Sequence, residues 1–143
     1  MTQAARALGR RAIVSRGWAN LSPMSDDPDC LAIDDVNQQA LFPSVAAVVH
    51  HGGAGTTTAA ALAGAPQVVV PQIYDQHYWA QRIGRLGIGT AHPPGAPTTD
   101  SLLGALEDTL RPGVAERARA VAAVVRSDGA RNAAERLEPR GFT

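Results

Sequence analysis

One short segment of the sequence is suited to hold an anion, the run His-His-Gly-Gly-Ala-Gly-Thr-Thr at residues 50–57. It follows an apolar stretch at residues 45–49 and precedes an alanine-rich stretch that extends to Ala63. This order predicts a strand, a glycine turn and the start of a helix. The first turn of a helix offers unpaired backbone N–H groups and the positive end of the helix dipole. Because glycines let an anion approach that backbone closely, the segment is typical of a phosphate site.

Two other phosphate-binding patterns fit this segment poorly. Gly53-Ala54-Gly55 begins a dinucleotide fingerprint, but Thr58 stands where its third glycine belongs. Asp75 follows at about the distance of the ribose-binding acid in that pattern, yet it comes after Pro71 and not at the end of a strand. A Walker-type loop needs a lysine, and all 13 cationic residues are arginine. A nicotinamide-dependent oxidoreductase is therefore disfavoured, and a Walker-type phosphate loop is excluded.

Length and charge restrict the remaining classes. The 143 residues are enough for one domain with its own core. The formal net charge of +0 does not indicate a surface for nucleic acid or for a membrane. The single cysteine, Cys30, cannot form an internal disulfide, and no apolar run approaches the ~20 residues that span a bilayer. Met1 is not followed by a signal-peptide pattern, so we expect a cytoplasmic protein with one domain at residues 1–143.

Short apolar runs alternate with helix-forming segments along the whole chain. Strands are predicted at residues 11–15, 30–33, 45–49, 67–70 and 87–91. Helices are predicted at residues 2–9, from the glycine turn to 63, and at 75–86, 99–110, 113–127 and 129–138, with a short helix or turn at 37–42. The alternation predicts an α/β fold with a doubly wound parallel sheet. Ligands of such sheets bind beyond the carboxyl ends of the strands, where the glycine turn and the turn at residues 71–75 lie.

Three ordered motifs resemble the nucleotide-sugar-binding signature of family 1 glycosyltransferases. They are residues 50–57, then Gly64-Ala65-Pro66, then Pro71-Gln72-Ile73-Tyr74-Asp75-Gln76. Residues 15–18 and 36–42 are also similar to that family, and the likeness extends over nearly the whole chain. It is strongest to bacterial natural-product enzymes of the vancomycin and macrolide types. The resemblance implies a GT-B protein, which has two Rossmann-like halves with a cleft between them, and only its C-terminal, donor-binding half.

The resemblance also implies roles for individual residues. The donor diphosphate would be held by His51, Gly52, Gly53, Gly55, Thr56 and Thr57. Asp75 and Gln76 would hydrogen-bond sugar hydroxyls; Asp75 could also be merely a helix N-cap, a role that is compatible with sugar binding. Trp18, Val36 and Asn37 would lie near the nucleobase, although Trp18 could equally cap the core. Of the remaining histidines, His50 is expected to be structural and His77 and His92 to lie on the surface.

The implied reaction is inverting transfer from a UDP- or TDP-sugar to a small-molecule natural product, with no metal and no other cofactor. Asp27-Pro28-Asp29 matches the D-x-D pattern of metal-dependent transferases, but its place in a proline-bearing loop favours a solvent-exposed turn. In the family, the general base and the acceptor pocket belong to the N-terminal half. No catalytic residue is therefore assigned within this chain, and the small-molecule acceptor would bind through that half.

The first strand of the donor half is expected to be missing. In the sheet order 3-2-1-4-5-6 this strand is central, and residues 11–15 and 45–49 would be strands two and four. Their facing edges would close on each other or recruit a strand from another chain, because unpaired buried backbone is costly. Two other functions stay open: a non-catalytic nucleotide-sugar-binding helper that docks on a partner, and an inactive truncated fragment.

Overall fold

The computed structural model describes residues 1–17 and 28–137, where helices and short parallel strands alternate. The strands are β1 (Ala12–Ser15), β2 (Cys30–Ile33), β3 (Val48–His50), β4 (Gln67–Val69) and β5 (Gly89–Ala91). The helices are α1 (Thr2–Ala7), α2 (Gln38–Leu41), α3 (Ala54–Leu62), α4 (Gln76–Leu86), α5 (Thr99–Thr109), α6 (Pro112–Ala122) and α7 (Gly129–Leu137). The predicted α/β alternation is confirmed. Most boundaries differ by one or two residues, and two differ by more: β3 begins only at Val48, after a 3-10 helix at Phe42–Ser44, and α6 ends at Ala122.

The strands of the described ranges form two separate parallel sheets. One sheet pairs β1 with β2, and the other has the order β3-β4-β5. In the expected sheet order 3-2-1-4-5-6, β1 and β2 correspond to strands two and three, and β3, β4 and β5 correspond to strands four to six. Within residues 1–17 and 28–137, β1 and β3 share no backbone hydrogen bonds of a sheet, so these two strand edges do not pair with each other.

Strand β4 is the centre of the larger sheet, and Gln67, Val68 and Val69 are fully buried there. Val68 packs with the α1 and α5 residues Ala4, Leu102 and Leu106, whereas Val69 packs with Ile83 of α4 and Ala118 of α6. Helices therefore cover both faces of this sheet, which explains why all three residues of β4 are buried. Within residues 1–17 and 28–137, no helix is both long and apolar enough to cross a membrane.

His92 is buried, so its predicted surface position is wrong. Its Nδ1 lies 2.7 Å from the carbonyl oxygen of Pro93 and its Nε2 lies 2.7 Å from Oγ of Ser101. Ser101 also completes a capping box with Thr98 at the start of α5. The ring therefore connects the end of β5 to the start of α5, a tertiary contact that no local pattern reveals.

We expect Gly89→Ala to lower the free energy of unfolding by at least ~2 kcal/mol, because a Cβ at this position would overlap the carbonyl oxygen of Gln67 in the buried strand β4. Gly104→Ala is the matched control, since that helical glycine has open space around it and alanine favours helix by up to ~1 kcal/mol. Urea unfolding followed by circular dichroism measures both changes. Equal stabilities of the two variants would contradict this packing.

Candidate functional site

The helix α3 begins directly after the strand β3 and the glycine turn. Gly53 is its N-cap, and the first helical hydrogen bond joins the N–H of Thr57 to the carbonyl of Gly53 at 3.0 Å. The hydroxyl of Thr57 donates to the same carbonyl at 2.9 Å. The amides of Ala54, Gly55 and Thr56 precede this bond and have no acceptor within the helix. We call these three amides, at the positive end of the helix dipole, the anion cradle, because such an arrangement suits a negatively charged group.

Gly52 fixes the position of this turn. Its φ of 95° lies in the region that favours glycine. A Cβ added to it would lie 2.7 Å from Cγ1 of Val69 and 3.2 Å from the carbonyl oxygen of Gln76. The glycine turn therefore packs directly between the central strand and the start of α4. This packing brings the predicted diphosphate residues next to the predicted sugar residues.

The side chain of His51 lies over the helix start. A Cβ added to Gly53 would lie 2.7 Å from Nε2 of His51, so the absence of a side chain at residue 53 leaves room for this imidazole. His51 itself is exposed. The ring thus adds a side-chain donor beside the unpaired backbone amides, and when protonated it adds a positive charge.

His50 supports the turn from the opposite side. Its Nδ1 accepts the N–H of Gly52 at 3.1 Å, and its Nε2 lies 2.9 Å from Oε1 of Gln67. Because Nδ1 accepts, Nε2 carries the proton and donates to Gln67. Burial lowers the pKa of His50; the bond to Gln67 raises it and the nearby charge of His51 lowers it, both to a smaller extent. His50 is therefore neutral and structural, as the sequence indicated.

Asp75 and Gln76 lie at the start of α4, and both side chains are already oriented. Oε1 of Gln76 accepts the N–H groups of Gln72 at 2.8 Å and Ile73 at 3.1 Å, which leaves the amide Nε2 to donate. Oδ2 of Asp75 accepts from Nε1 of Trp79 at 3.0 Å. Asp75 occupies the N-cap position of α4, as the alternative from the sequence proposed, but its side chain makes no capping bond. A donor and an acceptor stand side by side here, which suits hydroxyl groups.

The predicted nucleobase residues are placed less directly. Oδ1 of Asn37 caps α2, accepting the N–H groups of Gln39 at 3.0 Å and Ala40 at 3.3 Å. Val36 is exposed, and α2 packs against α3. Trp18 lies outside the described residues, as does Asp27 of the D-x-D pattern. The nucleobase roles of Trp18, Val36 and Asn37 stay predictions.

Sequence reasoning missed two contributors to the site. The amide of Ala54 belongs to the cradle, and the helix-start pattern alone could have indicated it. Gln67 orients His50, and the available signal was a single polar residue at the start of a valine-rich strand. Nε2 of Gln67 is buried and has no partner among the described residues, which costs about 1–3 kcal/mol.

Comparisons with known proteins show which family and fold this chain resembles. Residues 7–136 match the family described as erythromycin biosynthesis protein CIII-like, C-terminal domain. A vancomycin aglycone glucosyltransferase from Amycolatopsis orientalis is 56% identical over 134 residues, which are 94% of this chain and 33% of that protein. The chain thus spans about a third of that relative's length.

Solved structures show the same fold. The glycotransferase of kitacinnamycin has a TM-score of 0.75 at 28% identity, over 88% of this chain and 34% of that one. The glycosyltransferase VinC, solved in complex with DTDP, has a TM-score of 0.72 at 29% identity, over 85% of this chain and 31% of that one. The chain corresponds to the C-terminal, Rossmann-like part of these proteins.

We expect the free energy of unfolding to decrease as the pH falls below 6.5, the ordinary pKa of histidine. Because the folded pKa of His50 is lower, the unfolded chain binds the proton first. This stability is complete above pH 6.5 and is lost as the pH falls towards the folded pKa. Urea unfolding at a series of pH values measures the slope.

His50→Asn should flatten that slope, and His77→Asn, at an exposed position, should leave it unchanged. Asp128 does not interfere with this measurement. Arg126 lowers the pKa of Asp128, so the stability linked to that carboxylate is lost only at pH values below its ordinary pKa of 3.8. An unchanged slope in His50→Asn would contradict the assignment of the buried neutral histidine.

Proposed function

Because the chain belongs to the family of erythromycin biosynthesis protein CIII-like C-terminal domains, we propose that it is the donor half of a glycosyltransferase. Its substrate is a nucleotide sugar, with the diphosphate at the start of α3. The observation that supports this most is the cradle of unpaired amides at residues 54–56 beside the ring of His51. The donor is a UDP- or TDP-sugar, and the DTDP in the complex of VinC favours TDP.

Each predicted residue has a stated task in this proposal. His51 and the amides of Gly55 and Thr56 contact the diphosphate, together with the amide of Ala54. Gly52 and Gly53 provide room for the turn and the imidazole. Thr57 acts indirectly, because its N–H and hydroxyl both hold the carbonyl of Gly53.

Asp75 and Gln76 bind the sugar hydroxyls in this proposal. Oδ1 of Asp75 would accept a hydrogen bond from a sugar hydroxyl, and Nε2 of Gln76 would donate one to a sugar oxygen. Val36, Asn37 and Trp18 take the nucleobase side of the site. In this proposal the diphosphate lies between the sugar and the nucleobase, where the glycine turn meets the start of α4.

The proposed reaction is inverting and uses no metal or other cofactor. An acceptor oxygen forms a bond to the anomeric carbon while the bond from that carbon to the diphosphate oxygen breaks. The bonding electrons leave with the nucleoside diphosphate, so negative charge grows beside α3. Preorganised donors at such a charge are worth ~3–4 kcal/mol each, by analogy with oxyanion-hole deletions. His51 and the cradle would supply them. The acceptor proton goes to a general base outside this chain.

The acceptor in this proposal is a small-molecule natural product, since the 56% identical relative is named for the vancomycin aglycone. Residues 1–143 form a single donor domain, and the acceptor pocket belongs to a further part of the whole protein. The chain alone would then bind a nucleoside diphosphate weakly and transfer no sugar. Its proposed location is the cytoplasm.

A second candidate is a non-catalytic nucleotide-sugar-binding module that docks on a partner chain. A cavity of about 900 Å³ separates the two sheets, and apolar residues of α1, α5, β1 and β3 line much of it. The N–H groups of Ala12 and Arg16 donate to the β2 side. Because successive backbone groups alternate, those of Ile13 and Ser15 point away from β2, and Ile13 lines the cavity. An added strand from another chain would pair with this edge.

We expect His51→Ala to weaken TDP binding by at least about tenfold, through loss of a charge-assisted hydrogen bond. His77→Ala, at an exposed position in α4, is the matched control and should bind as the parent chain does. Calorimetric titration with TDP and UDP measures the affinities. Unchanged binding by His51→Ala would mean that the diphosphate lies elsewhere, and ready sugar transfer by the isolated chain would refute the division into halves.

For the docking module, we expect an extended Val- and Ile-rich peptide of about five residues, a common strand length, to bind in the cavity. Ile13→Pro removes an N–H that faces the cavity and should abolish this binding. Val14→Pro removes a donor to β2 and should instead lower the stability. Amide chemical shifts in NMR spectra follow the peptide titration. Binding that persists in Ile13→Pro would exclude pairing with the β1 edge.

A further inference from the structure

We propose that His50 is a positioning residue for the anion cradle: its unprotonated Nδ1 fixes the Gly52 turn, and protonation of His50 releases that turn. The structural part of this inference stands on three side-chain and backbone contacts. Its consequence for a nucleoside diphosphate rests on the proposed function. His50 contacts no ligand in this proposal and acts only through Gly52.

The contacts form a relay from the buried sheet to the turn. Gln67 is fully buried in the central strand β4, so its carbonyl Oε1 offers a fixed acceptor. His50 donates from Nε2 to this oxygen, at 2.9 Å, and must therefore present a bare Nδ1. The N–H of Gly52 donates to that Nδ1 at 3.1 Å. Gln67 thus selects the tautomer of His50, and that tautomer provides the acceptor that holds the N–H of Gly52 in the turn.

Protonation of His50 abolishes the hydrogen bond between its Nδ1 and the N–H of Gly52. An imidazolium carries a proton on each nitrogen, so its Nδ1–H would face the N–H of Gly52 and two donors would oppose each other. Gly52 cannot absorb the change alone, because it packs against Cγ1 of Val69 and the carbonyl oxygen of Gln76. Movement of the turn therefore displaces His51 and Gly53 on one side and the start of α4 on the other.

The charged surroundings of His50 are simple in the described part of the chain. His51 is the titratable neighbour whose charge acts on it, and a positive charge there disfavours a second one. Gly52 meets the uncharged residues Val69 and Gln76. Asp75 precedes Gln76, but it is exposed and its carboxylate is bonded to Trp79. The turn is therefore held at neutral pH and is released on acidification, whereas protonation of His51 strengthens anion binding.

NMR spectroscopy of the full chain tests the relay without any ligand. Long-range ¹H–¹⁵N correlation should show His50 as the Nε2–H tautomer at neutral pH. The amide resonance of Gly52 should shift with the titration of the His50 ring on acidification. Gln67→Leu removes the acceptor and should mix the tautomers. A Nδ1–H tautomer in the parent chain, or a Gly52 amide that ignores the titration, would overturn the proposal.

Two substitutions of His50 separate positioning from packing. The amide of asparagine ends where Nδ1 of histidine lies, so His50→Asn can still accept the Gly52 N–H. The amide of glutamine reaches the position of Nε2, so His50→Gln keeps a partner for Gln67 but leaves Gly52 unpaired. At neutral pH we expect His50→Gln to weaken TDP binding about fivefold, the typical value of one hydrogen bond, and His50→Asn to restore it.

The pH profile supplies the remaining readout. In a His51→Gln background, TDP affinity should fall on acidification when His50 is present and should stay level in His50→Asn. Equal loss of affinity in His50→Asn and His50→Gln would show that His50 only packs, and would refute the relay. If TDP binds to none of these proteins, the proposed function fails, while the tautomer and the Gly52 resonance still decide the positioning role.

Discussion

The site depends on the close packing of Gly52 between the central strand and the start of α4. Its backbone has a φ of 95°, and a Cβ there would lie 2.7 Å from Cγ1 of Val69 and 3.2 Å from the carbonyl oxygen of Gln76, so the position admits no side chain. This single contact holds two segments that are far apart in the sequence at a fixed distance. The packing places the cradle at the start of α3 near Asp75 and Gln76, whose side chains are oriented by Trp79 and by the N–H groups of Gln72 and Ile73. A larger residue at position 52 would separate them.

The buried strand β4 makes that packing rigid. Its three residues are fully buried between helices on both faces, so neither Val69 nor Gln67 can yield to the turn. Burying Gln67 at this position lowers the stability of the fold, because its amide nitrogen has no hydrogen-bond partner among the described residues. The amide oxygen nevertheless orients His50, and His50 orients Gly52. A valine at residue 67 would fill the space but would leave the tautomer of His50 unspecified.

The sequence predicted the fold class and the order of the helices and strands, because alternating apolar periodicities reflect which faces are buried. It misplaced the start of β3, since the 3-10 helix at Phe42–Ser44 depends on packing and not on the valines that follow it. The break between the two sheets followed from the family resemblance, because no residue in β1 or β3 marks a missing neighbour. The contacts of Gln67 and His92 were missed because no local pattern indicates them. Gln67 bonds to His50 on the neighbouring strand, and His92 bonds to Pro93 and Ser101 across the loop that leads to α5.

The proposed function does not require a net positive charge on the chain. The cradle draws on peptide dipoles and on one imidazole, so it needs no cluster of arginines or lysines. Such donors are fixed before the ligand arrives, which avoids the entropy cost of ordering long side chains. In the proposed reaction, fixed donors would favour the departing diphosphate more as its charge grows, so the cradle would act on the leaving group. A separate group would then deprotonate the acceptor, and a cleft between two domains would place these two functions on opposite sides of one sugar.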